Sequence, residues 1–481
     1  MAIVIRGTIL LATLLAAQTP PAQPAENQVD AAMTAYDKGG YLQVTDMLAA
    51  AAFDAKGKVR DDLAYQMWKQ VSTTVTNELD LATLATAQPH GAGEAGWDAA
   101  IGESVGRDAI AEIVRRVRAT SIVILNEAHS SPRDRAFAWR VAQALRQLGY
   151  TVLAAETFSN EPARDGKPTA VAQLARDGFA RIGTGSYTRD PVYAAFLRNA
   201  LAIGYQPAGY EQTSLQRPKG QPSRAAGIAA REQAEADNLA ALRCRMPAAK
   251  LLVYVGHSHV AEAPLDEGDG KRAEWMAARL KRMTGIAPLT IDQTTLTEES
   301  VATRASYDAA AARVQDRDGI LFRRDAPLVL DPYAGAVDLQ VVHPRRSYRF
   351  GRPVWLSDLG GQPLAVPATL LPAAGHRLIQ IFAASAPADA VPLNQLVVRA
   401  GSPPARLFVP PGRCASPSSR ERHGRHSLCS SGCCRSHSRW ATACFGLVDS
   451  PSSTIQELAP DRHVDITTCR SADTPVNQWL L

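Results

Sequence analysis

Four ionisable residues, placed at the ends of two apolar runs, are spaced to do chemistry together. Residues 121–125 lead into Asn126-Glu-Ala-His129, and residues 251–255 lead into Gly256-His-Ser-His259. Side chains alternate along an extended segment, so Glu127 and His129 are expected on one side of the first run, and His257 and His259 on one side of the second. A third apolar run, residues 151–155, ends in Glu156. A neutral imidazole held by a carboxylate can take a proton from water near pH 7, which is general-base hydrolysis of an ester or amide. The same side chains could instead ligate a divalent ion and acidify its water.

Strands must bring these groups together, and the pattern supplies them. Residues 108–118 read as a helix, 121–125 as a strand, 132–148 as a helix with Phe137, Val141, Leu145 and Leu148 on one face, and 151–155 as a second strand. A strand, helix and strand of these lengths form a right-handed parallel crossover. That places Glu127, His129 and Glu156 on the same sheet edge, where open α/β sheets bind ligands.

Further along come a helix at 191–203, a short strand at 207–211 ending in Glu211, and a long helix at 224–246 carrying Arg231, Glu232 and Asn238. The strand at 251–255, a helix at 271–283 and a strand at 289–292 follow. The predicted fold class is α/β, a mainly parallel sheet with flanking helices. Glu211 and Arg231 are candidates for substrate binding, although the spacing of Arg231 alone reads as a helix-surface ion pair.

Composition bounds the rest. A chain of 481 residues, 46% apolar and 21% charged, is globular and long enough for two or three domains. A net charge of +5 with no dense Lys/Arg block excludes a nucleic-acid surface, and leaves a small molecule as the expected partner. Residues 1–25 have Arg6, an apolar run at 7–17 and a Pro/Gln-rich stretch, the layout of a secretory signal peptide. The run falls short of the roughly 20 residues that span a bilayer, so an exported, periplasmic or secreted protein without an integral membrane segment is expected.

The remaining boundaries follow from changes of texture. Residues 26–96 read as a helical region, 97–330 as the α/β domain, and 331–412 as a small all-β domain of short runs at 338–343, 353–356, 378–382, 396–400 and 406–409. Residues 413–481 hold six of the seven cysteines, with adjacent Cys433 and Cys434 and no zinc-ligand spacing. This atypical Cys/Ser/Arg-rich tail is expected to reflect a lost reading frame.

Gly256-His-Ser-His-Val260 also invites comparison with the nucleophile elbow G-x-S-x-G, with Ser258 as nucleophile. Val260 stands where the second glycine belongs, and a polar loop follows in place of the required helix.

Asn126-Glu-Ala-His129, Glu156, Arg231-Glu232 with Asn238, and Gly256-His-Ser-His259 together resemble the erythromycin esterase, ChaN haem-binding and TIKI superfamily over residues 100–295. The resemblance implies that His129 and His259 are the two motif histidines, Glu127 the motif acid and Glu156 the acid of the next strand. Asn126 stands where the family commonly has glycine, and asparagine tolerates the left-handed turn expected there. The esterase branch is thought to activate water with His and Glu without metal, the TIKI branch is similar to a metal-dependent protease, and the ChaN branch binds haem. The expected activity is thus hydrolysis with His129 as base. A metal held by His129, His259, His257 and Glu127, a haem on the same histidines, and a scaffold without catalysis are the alternatives.

Overall fold

The computed structural model describes residues 25–75, 96–266, 271–298, 303–403, 406–410 and 445–449. The chain begins with helices α1 (Ala25–Tyr36), α2 (Tyr41–Ala52), α3 (Asp62–Val75) and α4 (Trp97–Gly102). Alternation then starts, with β1 (Val105–Asp108), α5 (Ala109–Arg116), β2 (Ile122–Glu127), α6 (Pro132–Arg146), β3 (Tyr150–Ala155), α7 (Ala170–Asp177), α8 (Pro191–Ala202), β4 (Gln206–Ala208), α9 (Arg224–Arg245) and β5 (Lys250–Gly256). Next are β6 (Leu265–Asp266), β7 (Arg272–Ala273), α10 (Met276–Thr284), β8 (Leu289–Asp292), α11 (Arg304–Val314), β9 (Gly319–Arg323), β10 (Ala326–Pro327) and β11 (Leu339–Val342). Short strands close the chain: β12 (Tyr348–Arg349), β13 (Arg352–Pro353), β14 (Gln362–Leu364), β15 (His376–Ile381), β16 (Asn394–Arg399), β17 (Leu407–Val409) and β18 (Phe445–Asp449).

The central sheet has the order β1-β9-β11-β8-β2-β5-β3-β4, with β10 beside β9. From β11 to β4 every neighbouring pair is parallel, and β9 joins β11, β1 and β10 antiparallel. The class is α/β, with a large, mainly parallel sheet between helical layers. A strand buried on both faces has no polar positions to alternate, which is why β2 and β5 read as unbroken apolar runs. Their alternate residues still divide between two cores. Val123, Leu125, Leu252 and Tyr254 pack with Phe137, Val141 and Leu145 of α6 and Val192 and Phe196 of α8. Ile122, Ile124, Leu251 and Val253 pack on the other face with Leu239 and Leu242 of α9 and Met276 and Leu280 of α10. Each such buried aliphatic or aromatic side chain contributes about 1.5–3 kcal/mol before entropy is counted, so the helices hold the strand ends firmly.

Local signals set the helix starts that matter for the site. Pro132 begins α6 where a missing N–H costs nothing, and Asp190 caps α8 by accepting from Val192 and Tyr193 N–H. Ser223 caps α9 through the Ala226 N–H.

Three expectations need correction. Residues 338–343 were expected to open the small β domain, yet β11 lies inside the central sheet, parallel to β8, so the α/β region runs past residue 330. An apolar run of four residues specifies a strand and not the sheet it joins. The helix expected at 271–283 begins only at Met276, because Arg272–Ala273 pairs antiparallel with Leu265–Asp266. Residues 353–356 do not form a strand of their own, since Val354–Leu359 is a 3-10 helix.

The small β region holds the three-stranded sheet β16-β15-β18 and the pairs β12-β13 and β14-β17. Helices α1–α3 pack on it, where Leu48, Met67 and Val71 share a core with Leu378 and Val397. The expected signal peptide lies outside the described residues, as does the cysteine-rich tail apart from the strand Phe445–Asp449 on β15. Among the described residues no helix is long and apolar enough to cross a membrane.

Candidate functional site

The two runs that carry the chemistry are neighbours. β2 and β5 pair in parallel from Ile122 with Leu251 to Glu127 with Gly256, and β3 flanks β5 on its other side. Glu127, Gly256 and Glu156 therefore reach the same sheet edge.

Glu127 is buried and gripped by Arg135 from the first turns of α6, with Nε to Oε2 at 2.8 Å and Nη2 to Oε1 at 3.0 Å. Arg135 also donates to Asp190 at 2.6 Å and to the His129 carbonyl at 2.8 Å. Burial alone would raise the Glu127 carboxyl; the opposing pull of Arg135 and His129 outweighs it and leaves the pKa lowered. The remaining contact of Glu127 Oε1 is His129 Nδ1 at 3.2 Å. Tyr187 lies flat on the imidazole, ring centroids 3.9 Å apart and planes 17° apart. His129 Nε2 is buried and has no hydrogen-bond partner.

Gly256 faces that nitrogen. A Cβ at this position would stand 2.7 Å from His129 Nε2, 2.4 Å from Cε1 and 3.1 Å from Glu156 Oε2. Only a residue without a side chain leaves the space between imidazole and carboxylate free. Glu156 is fixed by the Gly256 N–H and by Arg231 Nη2 at 2.8 Å. Burial raises the Glu156 pKa, but His259, Arg231 and His129 together overcome this and hold it well below the usual carboxylate range.

The other side of the site is built from α9. Arg231 binds Glu211 through Nε at 3.0 Å and Nη2 at 2.5 Å, approaches Glu235 at 3.1 Å, and lies 3.1 Å from His259 Nε2. It is therefore a partly buried hub joining three carboxylates and an imidazole, not the helix-surface ion pair expected. Burial pushes the Glu211 carboxyl up to about 7 despite the pull of Arg231. Burial would lower the His259 pKa; Glu232, Glu235 and Glu156 outweigh it and raise it well above its usual value.

His257 and His259 do not share a side as strand residues would. His257–Val260 is a 3-10 turn, which replaces the period of two. His257 stands edge-on to His129, with ring centroids 5.2 Å apart, while His259 packs against Trp275 and α9. The left-handed residue of the site is His257, with φ 36°, not Asn126. Asn126 stays in β2 and ties strand ends together, donating to the His257 carbonyl at 3.0 Å and Asp292 at 2.7 Å and accepting from Gln293 N–H at 2.8 Å. Burial lowers the His257 pKa to about 4, so its imidazole is neutral at ordinary pH. Ser258 Oγ pairs with the Tyr333 hydroxyl at 3.2 Å.

The seven candidate site residues, Glu127, His129, Glu156, Glu211, Arg231, His257 and His259, meet at this edge. Arg135, Asp190, Tyr187 and Glu235 were missed, and Gly256 was read as part of the motif without its role beside His129. For Glu235 a signal existed, since positions 231, 232 and 235 lie on one helical face. For Tyr187, at the end of a long loop, no sequence signal existed.

The structure also tests the cofactors that the resemblance implies. Haem does not fit these histidines as they stand: both ring nitrogens of His259 lie against α9 side chains, and His129 Nε2 is buried, with room beside it only because Gly256 has no side chain. Among the described residues the metal-compatible group is Glu232, Glu235 and His259, with ligand atoms within 4.8 Å of one another. The expected set of His129, His257, His259 and Glu127 does not form such a group, because His257 and His259 diverge at the 3-10 turn.

No family model matches the chain. No curated protein matches it either. Among solved structures it is similar to RRSP, a MARTX toxin effector domain from Vibrio vulnificus CMCP6, at 16% identity over 52% of this chain and 54% of that one, with a TM-score of 0.29. Two further structures of bacterial protein toxins match at 13% and 14% identity, over 52% and 53% of this chain and 55% of theirs, each with a TM-score of 0.29. The chain thus spans about half the length of the structures it matches.

Proposed function

We propose that the strand-end cluster hydrolyses an ester or amide of a small molecule, with His129 as general base. One observation carries this reading: His129 Nδ1 faces Glu127, Tyr187 stacks on the ring, and Nε2 is left without a hydrogen-bond partner. The Glu127 carboxylate favours the tautomer with the proton on Nδ1, so Nε2 keeps the lone pair. Nε2 takes a proton from water, the water oxygen adds to the carbonyl carbon, and the carbonyl electrons move onto oxygen. Arg231 Nη1, the guanidinium nitrogen that no carboxylate engages, would donate a hydrogen bond to that oxyanion. As the bond to the leaving group breaks, the proton on Nε2 passes to the departing atom. Glu127, Arg135 and Asp190 position the base, and Glu156 positions Arg231.

The full chain is to be screened against ester and amide panels with and without chelator, beside His129→Gln. Turnover that survives chelator and disappears in the variant is the expected result. Turnover equal in the variant removes His129 as base, and no turnover together with a Soret band on adding hemin, lost in His259→Ala, would favour a haem carrier. We further infer from residues 1–25 that the protein is exported. Sequencing of the mature N-terminus is expected to begin near Ala17; a protein that keeps Met1 would contradict export.

A further inference from the structure

His259 directs Nδ1 at α9, where Glu232 and Glu235 stand one turn apart on the same face. The nitrogen is 3.0 Å from Glu232 and 3.3 Å from Glu235 Oε2. One ring nitrogen carries one proton, which can serve only one of these oxygens. Glu232 Oε2 is already engaged by the Met276 N–H at 2.7 Å. Glu232 Oε1 and both oxygens of Glu235 make no hydrogen bond, in side chains that are 2% and 0% exposed.

The nearest cation does not resolve this. Arg231 approaches Glu235 Oε1 at 3.1 Å, but the same guanidinium also serves Glu156 and Glu211. Four buried carboxylates thus converge on one guanidinium and one imidazole. Buried carboxylates without sufficient partners are costly, and a cation is one way to satisfy them.

We propose that Glu232, Glu235 and His259 Nδ1 form a binding site for a divalent transition-metal ion. A tetrahedral ion with bonds of about 2.1 Å holds its ligand atoms about 3.4 Å apart. The separations of 3.0 and 3.3 Å from Nδ1 match that spacing. Two carboxylate oxygens and an imidazole nitrogen are a donor set for zinc or manganese. The ion takes the place of the Nδ1 proton, which leaves to solvent, and Nε2 then carries the ring's remaining proton. Nε2 lies 3.7 Å from Glu156 Oε1 and 3.1 Å from Arg231 Nη1, so occupancy would turn the ring's N–H toward Glu156 and make Arg231 Nη1 give up its contact with Nε2. The site uses neither His129 nor Glu127, so its failure would leave the proposed base untouched, although His259 borders Arg231 and Glu156 of the proposed hydrolytic site.

The test uses the full chain, stripped with chelator and titrated with MnCl2, free Mn2+ being counted by electron paramagnetic resonance. Manganese is chosen because the thiols of residues 414–469 prefer softer ions. One bound Mn2+ per chain is expected, weakened at least about tenfold in Glu235→Gln and unchanged in His129→Gln. A wild-type chain that takes up no Mn2+, or a folded Glu235→Gln chain that binds it as tightly, overturns the proposal. Should Glu235→Gln fail to fold, pulsed resonance on the wild-type complex decides. Nitrogen modulation from a histidine supports the site, and its absence overturns it.

Discussion

The ends of β2 and β5 lie side by side, yet they handle buried charge in opposite ways. At the end of β2, Glu127 and Asp190 share Arg135, and what remains is one buried nitrogen of His129 without a hydrogen-bond partner. At the end of β5, Glu156, Glu211, Glu232 and Glu235 crowd around Arg231 and His259, and carboxylate oxygens are left over. The first arrangement would orient the base of the proposed hydrolase. The second concentrates negative charge that a proton or a cation must balance.

The contrast can be broken by removing one charge from each side. Arg135→Met strands two buried carboxylates and is expected to destabilise the fold by about 3–5 kcal/mol in urea unfolding. A cost under about 1 kcal/mol would mean that the β2 end is not a closed charge unit.

The next effect concerns Asp134, which accepts from Ala128 N–H and Ser131 Oγ beneath the β2 end and whose pKa burial pushes up to about 7. A carboxyl with a folded pKa above its unfolded value stabilises fully below the unfolded value, near 4, and loses that contribution as pH rises to about 7. Asp134→Asn should therefore gain on the wild type between pH 4 and 7, by on the order of a few kcal/mol. Parallel stability curves for the two proteins across that range would refute the assignment.

Smaller again is Gly256→Ala, whose methyl must displace His129 or Glu156. About a hundredfold fall in kcat is expected for a base moved by this much, with the fold retained on circular dichroism. An active Gly256→Ala enzyme would show that the space beside Nε2 is not where water reacts. The smallest effect belongs to the crowded side: Glu235→Gln, in chelator, removes surplus charge and should change stability by less than about 1 kcal/mol or raise it. A loss comparable to that of Arg135→Met would erase the difference between the two ends.

Much of this was legible in the sequence because buried parallel strands write continuous apolar runs that stop where function begins. The crossover rule alone put Glu127 and Glu156 on one edge, and the register of β2 with β5 follows that layout. The site's inner wiring was not legible, for definite reasons. The period of two fails at His257–Val260, where a 3-10 turn sends His257 to His129 and His259 to α9. Arg135 and Asp190 look like ordinary helix-start residues, and nothing local shows that they meet Glu127. Tyr187 reaches His129 from the loop after α7, a contact fixed only by tertiary packing. Likewise, β11 reads as any short apolar strand until the sheet order assigns it.

His129 as the proposed base is tested most directly by kcat/KM of His129→Gln against the wild type, on one ester at pH 7.5. Loss of general-base catalysis predicts a fall of about 10²–10⁴-fold with an unchanged unfolding midpoint. Values within about threefold of each other would contradict it, since that is far below what a general base contributes.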